Sequence, residues 1–122
     1  MARRDAHIDA IEDALSPLGP VECRHMFGGF GAFLDGAMLG VVAGGVLYLK
    51  VDGHNVAAFD DAGLEPFVIE SRRGRTEMSF RRAPEPIGDW DALGPWARGA
   101  LAAAERARDA RRPRRPRPPA RG

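Results

Sequence analysis

Cys23 and His25 are the residues of this chain whose types could support nucleophilic catalysis. A thiolate beside an imidazole is an activated nucleophile, because the imidazole draws the proton from the thiol. The two residues lie two positions apart in an expected strand, so their side chains share a face. At that spacing they stand about 7 Å apart, which is too far for a direct hydrogen bond without favourable rotamers. We therefore expect a half-buried cysteine and a surface histidine.

A glycine-rich stretch, Phe27–Gly31, could bind an anion through successive backbone N–H groups. A phosphate-binding loop is followed by Lys-Ser/Thr and opens a helix, whereas a strand is expected here. The alternative is a bulge or a sharp bend that lets Phe27 and Phe30 turn inward, and we favour it. The stretch is then structural.

No histidine or cysteine has the spacing of a metal site, so we expect no metal and no cofactor. The paired carboxylates, Asp60-Asp61 and Asp89-x-Asp91, lie at expected helix ends or in loops, where they are solvated. We predict no catalytic residue and a protein that is not an enzyme. The enzymatic alternative is a small-ligand enzyme that uses Cys23 and His25 or the glycine stretch, and it requires a concave pocket beside them.

Arginines give the clearest binding hypothesis. Arg72, Arg73 and Arg75 surround the turn of an expected hairpin, where their guanidinium groups could bind phosphates or an acidic partner. The alternative is a solvated turn whose charges protect the hairpin edge. Lys50 is the only lysine in the chain. Its expected structural role is an ion pair with Asp52 or Glu77.

The last twelve residues, 111–122, are rich in arginine and proline and have no acid, which predicts a disordered basic tail. Without the six arginines of this tail the chain has 12 basic and 17 acidic residues, a formal charge of about −5. The tail could neutralise up to about five phosphates, with a slope near −4 for log K against log salt. The alternative is a low-complexity tail with no selected role. The arginines considered for binding in this segment are Arg111, Arg112, Arg114, Arg115 and Arg117.

Hydrophobic periodicity places these groups on an α+β domain. Helices are expected over residues 5–15 with Asp5 as N-cap, over about 53–62 with Asp52 as N-cap, and from between Asp91 and Pro95 to about 110. Strands are expected over 21–26, 32–34, 37–42, 46–51, 67–71 and 76–80, with tight turns at Asp35-Gly36 and Gly44-Gly45. The order is α-β-β-β(-β)-α-β-β-α, an antiparallel sheet of five to six strands with helices packed on it. Phe67, Ile69, Met78 and Phe80 are the expected buried residues of the second hairpin.

A set of spaced residues over about 5–105 resembles the N-terminal domain of the TfoX/Sxy family, bacterial proteins associated with control of DNA uptake. The residues that carry the resemblance are Met26, Phe27, Gly28, Gly29, Asp35, Gly36, Lys50, Asn55, Phe59, Pro66, Phe67, Met78, Pro84 and Trp96. The resemblance implies a fold related to the secretion-chaperone-like sandwiches and no known catalytic constellation. It also places a lysine at the position of Lys50, which makes a functional role the alternative to the ion pair for this residue. Full-length family regulators carry a second, helical domain, whereas here residues 1–110 would form the TfoX N-terminal-like domain and 111–122 the tail.

The expected function is that of a cytoplasmic regulatory or protein-interaction module, with a possible link to competence or transcription. One cysteine excludes an intramolecular disulfide, and no signal peptide or membrane-spanning stretch is visible. We expect a protein partner, no membrane, and a monomer or a homodimer. The alternative is a nucleic-acid accessory protein that binds weakly and without sequence preference through the tail and the hairpin arginines.

Overall fold

A computed structural model describes residues 6–26 and 28–111. Within them the helices and strands follow in the order α-β-β-β-β-α-β-β-α, which confirms the sequence prediction of an α+β domain. The helices are α1 (Ala6–Leu15), α2 (Val56–Asp61) and α3 (Trp90–Arg111). The strands are β1 (Glu22–Met26), β2 (Gly29–Leu34), β3 (Ala37–Ala43), β4 (Val46–Lys50), β5 (Pro66–Ser71) and β6 (Gly74–Arg82).

The six strands form one antiparallel sheet in the order β1-β2-β3-β4-β6-β5. The first four strands are a meander, because the turns between them are tight. Gly44 and Gly45 both have positive φ, at 57° and 78°, as the type I′ hairpin turn requires. The second hairpin joins the meander through β6, so β5 lies at an edge.

Helices α1 and α3 cover one face of the sheet. The apolar stripe of α1 is buried at Ile8, Ile11 and Leu15, as the periodicity predicts. Leu93 and a series of alanines on α3 lie in the same core as Leu47 and Leu49 of β4. Small side chains let this long helix approach the sheet closely. Within the described residues, no helix combines the length and the apolar character needed to cross a bilayer.

Two helix boundaries were predicted wrongly. Helix α2 begins at Val56, and Asp52 does not cap it, because its carboxylate accepts the His54 backbone N–H and an arginine instead. Helix α3 begins at Trp90, so Pro95 lies inside it rather than in its first turn. The same helix continues to Arg111, the first residue of the predicted tail.

Candidate functional site

Cys23 and His25, the pair considered as the alternative of a nucleophilic site, do not form an accessible site. Cys23 is only 6% exposed, and its backbone N–H donates to Glu12 Oε2 at 2.7 Å. His25 is exposed and packs edge-on against Phe30, with the ring centroids 5.7 Å apart. No group of three or more potential metal ligands occurs among the described residues. The expectation of a surface histidine is confirmed, and the cysteine is buried more fully than expected.

The glycine stretch leads into strand β2 and not into a helix, so it is not a phosphate-binding loop. Phe30 turns inward and is buried, as the bend hypothesis requires, whereas Phe27 lies outside the described residues. Gly29 packs against β3 so closely that a Cβ there would lie 2.2 Å from the Val42 carbonyl oxygen. A side chain at position 29 is therefore incompatible with this pairing of β2 and β3.

The face of the sheet opposite α1 and α3 is apolar. Side chains alternate along β4, so Tyr48 and Lys50 point away from the side of the core residues Leu47 and Leu49. Val41 and Phe80 lie directly opposite Tyr48 and Lys50 in the adjacent strands and therefore share their face. We call this the open face, because no helix covers it in the described part of the chain.

A β-bulge adds a methionine to the open face. The register of β2 and β3 shifts between Ala32 and Phe33, whose partners are Gly40 and Met38, so Leu39 has no partner of its own. Met38 is thereby turned to the same face as Val41, although the two are three positions apart. Its Sδ and that of Met26 lie over Gly31, where a Cβ would be 3.0 Å and 2.6 Å from them. The two methionines thus lie side by side at one end of the open face.

The open face is curved and holds an apolar groove of about 420 Å³. Val41 and Phe80 are buried, at 9% and 4% exposure, although no helix of the described residues lies over them, and Met26 of β1 and Phe67 and Met78 of the second hairpin line the same groove. Phe67, in the groove wall, is in ring contact with Tyr48 on the same face, with centroids 5.0 Å apart. The residues that line the groove are Met26, Gly29, Phe30, Met38, Val41, Val42, Ala43, Phe67, Ile69, Met78 and Phe80.

The groove explains an error in the predicted core. Ile69 is 40% exposed, and Phe67 and Met78 are half-buried, whereas all were expected to be buried; of the four, Phe80 alone is buried. These side chains lie on the wall of the groove, beyond the area that the helices cover. The period-2 pattern placed them correctly on one face of the hairpin, but it could not tell whether that face would be covered.

Lys50 lies beside the groove. Its Nζ is 5.0 Å from the centroid of the Phe80 ring and donates to Ser79 Oγ at 2.6 Å. No ion pair joins Lys50 to Asp52 or Glu77 within the described residues, so the alternative of a direct pairing is wrong. Burial lowers the pKa of Lys50, and the nearby charge of Arg111 lowers it further, while Asp52 opposes the shift. The ammonium group is thus partly desolvated beside an apolar surface.

Asp52 and Asn55 fix the loop that follows Lys50. The Arg106 guanidinium donates to both carboxylate oxygens of Asp52, at 2.7 and 3.1 Å. These hydrogen bonds, helped by the His54 backbone N–H, lower the pKa of Asp52 to about 2. The Asn55 amide donates to the Lys50 carbonyl at 3.0 Å and accepts the Asp52 N–H at 2.8 Å. Asn55 is therefore a structural residue.

The hairpin arginines, Arg72, Arg73 and Arg75, are exposed, and none forms an ion pair within the part of the chain that the structure describes. They lie at the far end of the β5–β6 hairpin, beyond the groove wall. Arg111 ends α3. The remaining tail arginines that were considered for binding are Arg112, Arg114, Arg115 and Arg117, and all four lie outside the described residues.

The residues that carry the family resemblance fall into two groups. Phe59 and Trp96 are in edge-on ring contact on the helical face, 4.8 Å apart, and Asp35 and Gly36 have the positive φ of a tight turn. These residues and Asn55 build the fold. Met26, Phe67 and Met78 line the groove, and Lys50 lies next to it. No pattern in the sequence indicates that this second group forms one surface, because its members are up to 52 positions apart.

A two-layer α+β domain, with helices on one face of an antiparallel sheet and an apolar groove on the other, is the class that these features define. The TfoX N-terminal domain family model matches residues 13–104, and the chain belongs to that family. The match confirms the resemblance drawn from the spaced residues. No curated protein matches the chain.

Proposed function

We propose that this domain is a non-enzymatic protein-interaction module whose partner binds in the groove of the open face. The observation that carries the proposal is the apolar groove itself, with phenylalanine and methionine on its walls. Contiguous apolar surface of this kind marks binding sites, because leaving it in water is unfavourable. Methionine side chains are flexible and polarizable, so they adapt to the shape of a bound partner.

The regulatory role follows from binding. A domain that works by contact can recruit or sequester a partner, and this is the route by which we connect the chain to the control of DNA uptake that the family name suggests. We place this activity in the cytoplasm, in keeping with a chain that has one buried cysteine. Binding energy would be concentrated in a few aromatic and methionine anchors at the centre of the groove.

Site-directed photo-crosslinking tests the proposal. Benzoylphenylalanine placed at Ile69, which is already exposed in the groove wall, is expected to form a protein adduct in an extract of cells that express the chain. The same amino acid at Ala57, exposed on α2, is the matched control and should form none. Equal labelling at both positions, or none at Ile69, would contradict the proposal.

The second candidate is nucleic-acid binding, which the three hairpin arginines favour, since none of them forms an ion pair with another described residue. Replacing Arg72, Arg73 and Arg75 by glutamine should then weaken retention on DNA and make the log K against log salt slope shallower by about 3. Removal of residues 112–122 separately tests the tail. Retention on DNA that neither change alters would exclude this candidate, and adducts at Ile69 that survive nuclease treatment favour the protein partner.

A further inference from the structure

The backbone of the groove floor restricts what can bind there. Val41 and Phe80 lie on β3 and β6, and each of these strands is paired on both sides within the sheet. Among the described strands the free sheet edges are those of β1 and β5, which form the walls of the groove, so their unpaired backbone groups lie at its rims and not on its floor. An extended segment in the groove would therefore find no backbone partner, and each buried unpaired N–H or C=O would cost about 1–3 kcal/mol. A helix satisfies its own backbone and avoids this cost.

The shape of the groove argues against a second copy of the chain as its occupant. In a dimer whose two-fold axis passes through the groove, the groove meets itself, and two concave faces leave a void between them. A volume of about 420 Å³ instead suits a convex ridge of several apolar side chains. The chain's own tail does not supply such a ridge, since the sequence after Arg111 is made mainly of arginine and proline.

The charges beside the groove determine which charged residues a bound segment should carry next to its apolar side chains. Register places Arg24, Lys50 and Arg82 on the open face with one carboxylate, Glu22. Arg24 lies 3.9 Å from Glu22, and Arg82 pairs with Glu85 at 3.3 Å. The ammonium group of Lys50 has only the Ser79 hydroxyl as hydrogen-bond partner among the described residues. A partly desolvated cation without a carboxylate gains most from an acidic group on the ligand.

We infer that the groove binds an amphipathic helix of a partner protein, and that a carboxylate beside the apolar stripe of this helix pairs with Lys50. The inference rests on the proposed function, which supplies the protein partner. It adds the conformation of the bound segment and the sign of its charge. Lys50 is then the residue that selects acidic helices over neutral or basic ones.

A phage-displayed library of randomised 16-residue peptides, selected against the full chain, tests both parts. Peptides selected on the wild-type protein should have apolar residues at i, i+3 or i+4, and i+7, with Asp or Glu beside the stripe. Selection on Lys50→Glu should keep the apolar spacing and replace the acids by Lys or Arg. Ile69→Glu, which puts a charge in the groove wall at an exposed position, should abolish binding of the wild-type peptides.

A double-mutant cycle on one selected peptide measures the pairing. Replacing its acid by the amide, or Lys50 by Met, should each weaken binding about fivefold, and the two changes together should weaken it no further. Arg73→Met is the matched control, because it removes an exposed cation away from the groove, and it should change affinity less than twofold. Thermal unfolding of each variant, followed by circular dichroism, establishes that it folds.

The outcomes separate the inference from the proposed function. The inference is overturned if the selected peptides have alternating apolar residues, if they show no preference for acids, or if that preference survives Lys50→Glu. In each of these cases, loss of peptide binding in Ile69→Glu still supports the groove as a protein-binding site. Self-association that Ile69→Glu abolishes would also overturn it, in favour of a second copy. A selection that yields no peptide sensitive to Ile69→Glu overturns both.

Discussion

Replacing Gly29 by alanine is expected to destabilise the domain by about 3 kcal/mol, far more than a surface substitution does. The added Cβ would lie 2.2 Å from the Val42 carbonyl oxygen and 3.4 Å from its carbon, so it meets backbone and not a movable side chain. The two strands must separate by about 1 Å to restore an ordinary contact. Overpacking costs typically 1–3 kcal/mol, and each weakened ladder hydrogen bond about 1 kcal/mol more.

Two neighbouring glycines are matched controls for this substitution. Gly28 has a φ of 75° and nothing within 4 Å of a built Cβ, so its alanine variant carries only the strain of a left-handed backbone, about 1 kcal/mol. At Gly31 the Cβ would meet Met26 Sδ, Phe33 Cε1 and Met38 Sδ, which are the ends of side chains. These ends can move, so we expect a cost near 1 kcal/mol together with an altered groove.

Thermal and urea unfolding of the three variants, each followed by circular dichroism, measure the difference, and an unchanged m-value shows that the unfolded states are comparable. At about 4 °C per kcal/mol, the melting temperature of Gly29→Ala should fall by roughly 12 °C and that of the other two by about 4 °C. A Gly29 variant as stable as the Gly28 variant would show that the close approach of β2 to β3 is not a constraint. The steric explanation of this glycine would then be refuted.

Three further outcomes are expected. Leu93→Ala, at a fully buried position on the inner face of α3, should lower the free energy of unfolding by about 3 kcal/mol in urea titration, and a loss below 1 kcal/mol would contradict its place in the core. The pKa of Asp52 is lowered to about 2 from 3.8, so its stabilising contribution is present above pH 4 and is lost as the pH falls through 2. Because Asp52 is partly exposed (29%), we expect it to contribute only about 1 kcal/mol to the free energy of unfolding. Asp52→Asn should remove this part of the loss of stability in acid, and a dependence of stability on pH that the substitution leaves unchanged would disprove the pairing of Asp52 with Arg106. Met78→Glu should reduce the binding of the apolar dye ANS by more than half, whereas Ala57→Glu, on α2, should leave it unchanged; equal losses would show that the dye does not report on the groove.

Local features of the sequence were enough to predict the order of the elements. The tight turns of the meander depend on two adjacent residues each, and the buried stripe of α1 depends on a spacing of three and four. Helix starts were predicted less well, because alternative partners competed for the same side chain. Asp52 could cap a helix by its position, but Arg106, 54 positions away, binds its carboxylate instead.

The groove could not be predicted, because it depends on contacts between distant strands. A strict alternation puts Met38 and Val41 on opposite faces of β3, and the bulge at Leu39 puts them on the same one. The second hairpin brings Phe67 and Met78 opposite these residues only because β6 pairs with β4. Neither the bulge nor the pairing of β6 with β4 can be recognised from a short segment of the sequence.

The sequence by itself determined the family, the succession of helices and strands, and which side of each strand is apolar, since these depend on residue types at short, regular spacings. The tertiary structure alone decided which apolar side the helices cover and which stays open, and it brought Lys50 to the border of the open one. The physical reason is that burial depends on the packing of whole layers. A strand with two apolar sides carries no local signal for the side on which a helix will lie.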